Sequence, residues 1–275
     1  MSGLLGIMAP IVSSCNNGNN INIVSNNSSN DPTDSLTYWD DLYKQYGVTK
    51  FSDEQVSKNL KKAKLLKWRD GDTPEIQFYE NNDSEELTDQ INAIRIESID
   101  TPEKTKVNQE KERVPSDEPE LTYAKKATEL AQKTIPEGND VYFWYANAKS
   151  YDRLVGTIYY DFNKENKTAI SFSTTMVLNG LAIPIIKSPT DLLDTSSELY
   201  VATKPVAIAA NIAILNKRNI WSADNNLSKS IETIYKVRGA DTSWVSFLNP
   251  KSNNYKIYAK KGDENYAQSV WNFLE

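Results

Sequence analysis

Apolar positions along the chain change period several times. Leu36 to Tyr46 carries Trp39, Leu42 and Tyr46 at helical spacing, which predicts a short amphipathic helix. Ser52-Asp53-Glu54-Gln55 supplies an N-cap with acidic residues in the first turn and predicts a second. From about Lys61 the period shortens to two. Lys64 to Trp68 and Glu75 to Tyr79 flank an Asp-Gly-Asp turn as a hairpin-like pair. Ile91 to Ile99, Val141 to Tyr145 and Leu154 to Tyr160 follow as further strands, the last two rich in aromatic and β-branched residues. Asp117-Glu118-Pro119 opens a helix with Leu121, Ala124, Thr128 and Ala131 on one face. A second helix, Phe172 to Leu178, stops at Asn179-Gly180, and a third is expected to open at Thr203 with Pro205 near its first turn. Short strands interleaved with three helices indicate an α+β fold, and closing the sheet into a small barrel buries that many strands. Beyond Leu227, Trp244, Phe247, Tyr255, Tyr258 and Trp271 predict an appendage of two or three strands and a closing helix around a minor core.

The first residues break this pattern. Leu4 to Val12 is an apolar run too short to span a bilayer, and Val12-Ser13-Ser14-Cys15 follows it. Small residues before a cysteine resemble a bacterial lipoprotein signal, in which Cys15 becomes the lipid-bearing first residue. No Lys or Arg precedes the apolar run, so the usual positive n-region is missing and a true start upstream of Met1 stays open. An Asn/Ser-rich stretch follows, too polar to offset the entropy of ordering it, and reads as a tether. The expected organisation is therefore a signal over 1–15, a tether over 16–36, a helical lead-in over 37–60, a main domain over 61–226 and the appendage over 227–275.

Composition narrows the chemistry. The 275 residues contain no histidine and one cysteine. That excludes Ser-His-Asp and Cys-His nucleophiles, histidine zinc sites and disulfide frameworks. An enzyme built from this chain works with carboxylates, Lys, Arg, Tyr, Ser or Thr, and a hard metal. The net charge of −6 argues against a broad basic surface for nucleic acid, although local arginines can still grip a phosphate.

Three stretches carry such a kit: Asp70-Gly71-Asp72-Thr73, Arg95 through Glu103, and Tyr151-Asp152-Arg153. They hold the carboxylates Asp72, Asp100 and Glu103 and the guanidiniums Arg95 and Arg153. Carboxylate oxygens suit a hard cation, arginine forks suit a phosphate, and a carboxylate can take a proton from water. Each stretch alone is more often structural; together their residue types make the kit for cutting a phosphodiester. One geometric question stands: Arg95 and Asp100 are five residues apart, which strand alternation puts on opposite faces.

The segment from about Lys61 to Asn225 resembles the staphylococcal-nuclease-like (thermonuclease) family. The three stretches carry the resemblance, joined by Asn179-Gly180-Leu181-Ala182 and Asn219-Ile220-Trp221-Ser222. It implies an OB-type five-stranded β-barrel with three helices. It further implies that Asp72, Asp100 and the Thr101 carbonyl hold Ca2+, that Glu103 orients or deprotonates water, that Arg95 and Arg153 hold the scissile phosphate, and that Tyr151 contacts the nucleotide. DNA and RNA are the implied substrates, with 3′-phosphorylated products. With the lipid anchor on Cys15 the chain is similar to mycoplasma-type nuclease lipoproteins, surface-exposed and scavenging nucleic acid. The competing reading is a non-catalytic nucleic-acid-binding or host-binding adhesin on the same fold. Two positions depart from the family pattern. Ile183 to Lys187 stands where nucleotide-contacting tyrosines are common, and Asp152 stands at a glycine position, where it is expected to point away from the pocket or to alter affinity modestly.

Overall fold

Hydrophobic alternation becomes a closed barrel in the computed structural model, which describes residues 31–239, 241–260 and 268–274. The expected signal, Cys15 and most of the tether lie outside the described residues. From Asp31 the chain makes a 3-10 turn (Pro32–Asp34), helix α1 (Leu36–Tyr46), strand β1 (Thr49–Lys50) and helix α2 (Asp53–Lys58). Strands β2 (Leu60–Asp70), β3 (Thr73–Tyr79) and β4 (Leu87–Ile96) form a meander, followed by β5 (Ile99–Asp100) and a small hairpin of β6 (Thr105–Val107) and β7 (Arg113–Pro115). Helix α3 (Glu120–Thr134) leads into β8 (Asp140–Ser150), β9 (Arg153–Asn163) and β10 (Thr168–Ser171). Helix α4 (Phe172–Leu178), strand β11 (Ile183–Pro184) and helices α5 (Glu198–Leu215), α6 (Leu227–Ile234) and α7 (Asn253–Tyr258) complete the chain.

The barrel strands run in the order β9-β4-β3-β2-β8, and β8 pairs back onto β9 to close it. All neighbours are antiparallel except β4 and β9, which run parallel with Arg95 opposite Val155. Strand β8 is buried on both faces over Val141–Trp144, so its alternation there sorts residues between two cores. Val141 and Phe143 face the main core, while Tyr142 and Trp144 face a second cluster with Phe51 and Tyr159. Closure depends on Gly156, where an added Cβ would lie 2.1 Å from the Trp144 carbonyl oxygen. The α4 terminus needs Gly180 for a left-handed φ of +63° against the Arg218 carbonyl.

Helices α1 and α4 have the limits expected from sequence, and Ser52 and Gln55 form a reciprocal capping box on α2. The tether's expected end at residue 36 moves back, because Thr33 is buried and its carbonyl accepts the Trp39 indole N–H at 2.8 Å. Helix α5 opens at Glu198, not Thr203. The Ser197 hydroxyl caps it by accepting from the Tyr200 N–H at 3.1 Å, which leaves Pro205 inside the helix. Burial of Ala202 through Ile214 on nearly every side stabilises the helix around that proline. The apolar run is long enough to cross a bilayer by composition, yet it is mostly buried inside the protein.

The C-terminal stretch also departs from expectation. Among the described residues of 227–274 there are helices and 3-10 turns and no strand. Its aromatics do not form a separate minor core. Trp244, Leu248 and Tyr255 pack with Ile183, Ala213, Ile220 and Trp221, while Phe247 and Val270 enter the main core. Trp271 packs against the fully buried Trp39 of α1 at a ring separation of 5.3 Å. The described residues from Asp31 onward thus form one compact unit.

Candidate active site

The site lies where the β2–β3 turn meets the ends of β4 and β9. The Asp72 carbonyl accepts from the Ile96 N–H at 3.1 Å, which ties the turn to the last residue of β4. The strand then breaks: Ser98 takes a left-handed φ of 67° before β5 begins. β5 pairs with β11, placing Ile183 opposite Asp100. That reversal answers the alternation problem, because it swings Asp100 back onto the face of Arg95.

Arg95 joins the two halves. One terminal nitrogen donates to Asp72, and the other donates to Asp100 Oδ1 at 2.5 Å and to the Ile99 carbonyl at 3.3 Å. The Asp72 carboxylate is nearly fully buried and also accepts from the Thr101 N–H at 3.3 Å and the Thr73 hydroxyl at 2.9 Å. The two flanking carboxylates hold the guanidinium well above its ordinary range, against the opposing effect of burial. Burial raises the Asp100 carboxyl, and the Arg95 guanidinium pulls it the other way. Arg95, expected to share the phosphate with Arg153, therefore directs both terminal nitrogens at carboxylates.

Arg153 is placed differently. It follows a tight turn in which Tyr151 has φ 59°, and Tyr151 itself is 93 % exposed. Its guanidinium meets the Thr73 hydroxyl at 3.4 Å and the Ser150 hydroxyl at 3.3 Å. Among the described residues it has no carboxylate partner. It lines an open cleft of about 600 Å3 together with Tyr151, Asp152 and Glu103. Asp152 thus belongs to the residues of the cleft wall.

The cleft is locally basic in an acidic protein. Arg69, Lys106, Arg113, Arg153 and Arg238 line it against Asp70, Glu103 and Asp152. Sequence reasoning missed four of these five cations. Lys106 and Arg113 arrive on the β6–β7 hairpin, which carries none of the three motif stretches. Arg238 arrives from the C-terminal region, and nothing near it in the sequence marks it.

Glu103 sits between these environments. Its carboxylate pairs with Arg238, and its backbone N–H donates to the buried Glu120 at 3.0 Å. Burial pushes its carboxyl up to about 7; Arg238 opposes the shift, and the nearby Asp72, Asp70 and Asp100 charges add to it. Such a group exchanges a proton readily near neutrality. Among the described residues, no three acidic, cysteine or histidine side chains are grouped closely enough to hold a metal by themselves. The hard-oxygen set at this point is Asp72, Asp100 and the backbone beside Thr101.

Comparison with known proteins bears on the family and the fold. Residues 93–223 match the family model described as staphylococcal nuclease homologue. The chain is 37 % identical to "Uncharacterized lipoprotein MG186" of Mycoplasma genitalium over 207 residues, covering 74 % of this chain and 78 % of that protein. It is 34 % identical to the homologue from Mycoplasma pneumoniae over 233 residues, covering 71 % and 76 %. The match, the closed five-stranded barrel and the motif order agree, and the chain belongs to the staphylococcal nuclease homologue family.

Proposed function

We propose that this protein is a Ca2+-dependent endonuclease that cleaves DNA and RNA to 3′-phosphorylated products. We further propose that it is held at the outer face of the membrane by a lipid on Cys15. The observation that carries the reading is the convergence of three distant stretches: the Asp72–Arg95–Asp100 network lies beside a cleft lined by Glu103 and by Arg153, which has no carboxylate partner among the described residues. The names of the two mycoplasma relatives support the anchor.

The donor set fits a hard dication. It is all oxygen, and it brings together carboxylates whose ionised forms disfavour one another. Asp72, Asp100 and the Thr101 carbonyl would hold Ca2+, with water completing its coordination. When bound, it supplies positive charge that polarises the phosphoryl oxygens and offsets the carboxylate excess. The chain's own residues do the rest. The Arg153 fork takes two phosphoryl oxygens and matches the charge that grows on them in the transition state. Glu103 takes a proton from the attacking water as its oxygen bonds to phosphorus, and the P–O5′ bond breaks with the 5′ oxygen taking a proton from solvent. Arg95 keeps Asp72 and Asp100 in place, and the exposed Tyr151 offers a ring to a base.

The test is plasmid and RNA digestion by washed membranes from cells expressing the full chain, with Ca2+ or with excess EGTA. Ca2+-dependent cleavage in the membrane fraction is expected. Full cleavage in EGTA would sink the metal assignment. Activity confined to the culture fluid would remove the anchor, and nucleic-acid retention without cleavage would establish the non-catalytic alternative.

A further inference from the structure

Residues 235–238 lie beyond the stretch matched by the nuclease family model, yet they touch the site at three points. The buried Tyr235 hydroxyl donates to the Asp100 carbonyl at 2.8 Å. Glu120, on α3 and almost fully buried, accepts from the Lys236 and Val237 N–H groups through one oxygen, at 2.9 Å each. Its other oxygen accepts from the Glu103 N–H at 3.0 Å. Arg238 then reaches the Glu103 carboxylate with one terminal nitrogen and approaches Asp100 Oδ1 at 3.7 Å with the other.

We propose that Arg238 is a positioning residue for Glu103, delivered by the C-terminal segment and set in register with it by Glu120. The proposal rests on the nuclease reading above. Glu103 is crowded by carboxylates of like charge, and without a facing cation its side chain would swing away from them and from the cleft. A half-exposed ion pair ordinarily contributes little, because two long side chains must be ordered to form it. Here the Glu103 backbone and the two residues just before Arg238 hang from one buried carboxylate, so much of that ordering is already in place. The arrangement gives the C-terminal region a part in the chemistry that its distance from the nuclease motifs conceals.

The experiment is a kinetic double-mutant cycle on the full chain with Ca2+ and a defined oligonucleotide. Arg238→Ala should lower kcat about 10- to 100-fold while KM moves less than about threefold. Arg238→Lys should recover part of the loss. In a Glu103→Gln background, Arg238→Ala should change turnover by less than about threefold, because the group it positions is already disabled. The melting temperature of Arg238→Ala should match wild type, which separates positioning from loss of fold. A raised KM at unchanged kcat, or losses that multiply in the double variant, would show that Arg238 grips substrate directly and would overturn the proposal. Wild-type turnover in Arg238→Ala overturns it alone. A wild-type chain that cleaves nothing overturns the nuclease reading and takes this one with it.

Discussion

Arg95 and Arg153 occupy opposite sides of one site and are held in opposite ways. Arg95 is mostly buried, and its two terminal nitrogens meet two carboxylates. Arg153 lines the open cleft, and among the described residues only hydroxyl and carbonyl oxygens approach it. The sequence motifs give the two residues the same role. Their surroundings divide it: a guanidinium neutralised on both sides maintains a structure, whereas one without a counter-charge is available to an incoming phosphate. On the proposed function, the buried side of the site is the preorganised half and the cleft side is the half that meets the phosphate.

The largest effect that would test this division is on turnover. Arg153→Ala should lower kcat by about two to three decades, the size seen when a transition-state charge loses its donor. Arg153→Lys should lose nearly as much, because an ammonium lacks the two-pronged geometry. Folding stability should stay within about 0.5 kcal/mol of wild type in urea unfolding. A lysine variant with near-normal kcat would make Arg153 a simple point charge. Arg95→Leu should show the reverse emphasis and cost about 3 kcal/mol of stability, since Asp72 and Asp100 are left buried without their shared partner. Its activity should fall as well, so stability is the discriminating readout. If Arg95→Leu unfolds like wild type, the buried side is not the preorganised half.

How much of this was legible beforehand depended on the range of the interactions. Local signals served well. Trp39, Leu42 and Tyr46 marked α1, Asn179-Gly180 ended α4, and the motif order identified the barrel. The reversal at Ser98 was required by the spacing of Arg95 and Asp100, although its form was not. Where burial overrides local rules, the reading failed. Pro205 looked like a helix start because proline is tolerated best there, and tertiary packing carried α5 through it. The aromatics after Leu227 looked like strands because strand preference and core preference share those residue types. Glu120, Tyr235 and Arg238 left no trace, because their partners lie far away in the chain: Glu120 meets Lys236 and Val237, and Tyr235 meets Asp100. A side chain's neighbour across more than a hundred residues has no periodicity to betray it.

Glu103 sits on the boundary between the two sides, and its proton sharpens the comparison with the smallest expected effect. Its folded-state value is raised from 4.5 to about 7, first by burial. Between those two values the folded protein holds a proton that the unfolded chain has released. Stability from this group is therefore fully present below about 4.5 and declines as pH rises through about 7. With water reaching its partly exposed carboxylate, the loss should be on the order of 1 kcal/mol. Glu103→Gln cannot ionise, so in EGTA its unfolding free energy should fall less than wild type's between pH 5 and pH 7.5, about where Glu103 titrates. Other groups titrate in both proteins and cancel in the difference. Parallel pH profiles for the two proteins would place Glu103 with the solvated cleft side; a wild-type decline that the glutamine variant lacks would place it with the buried side.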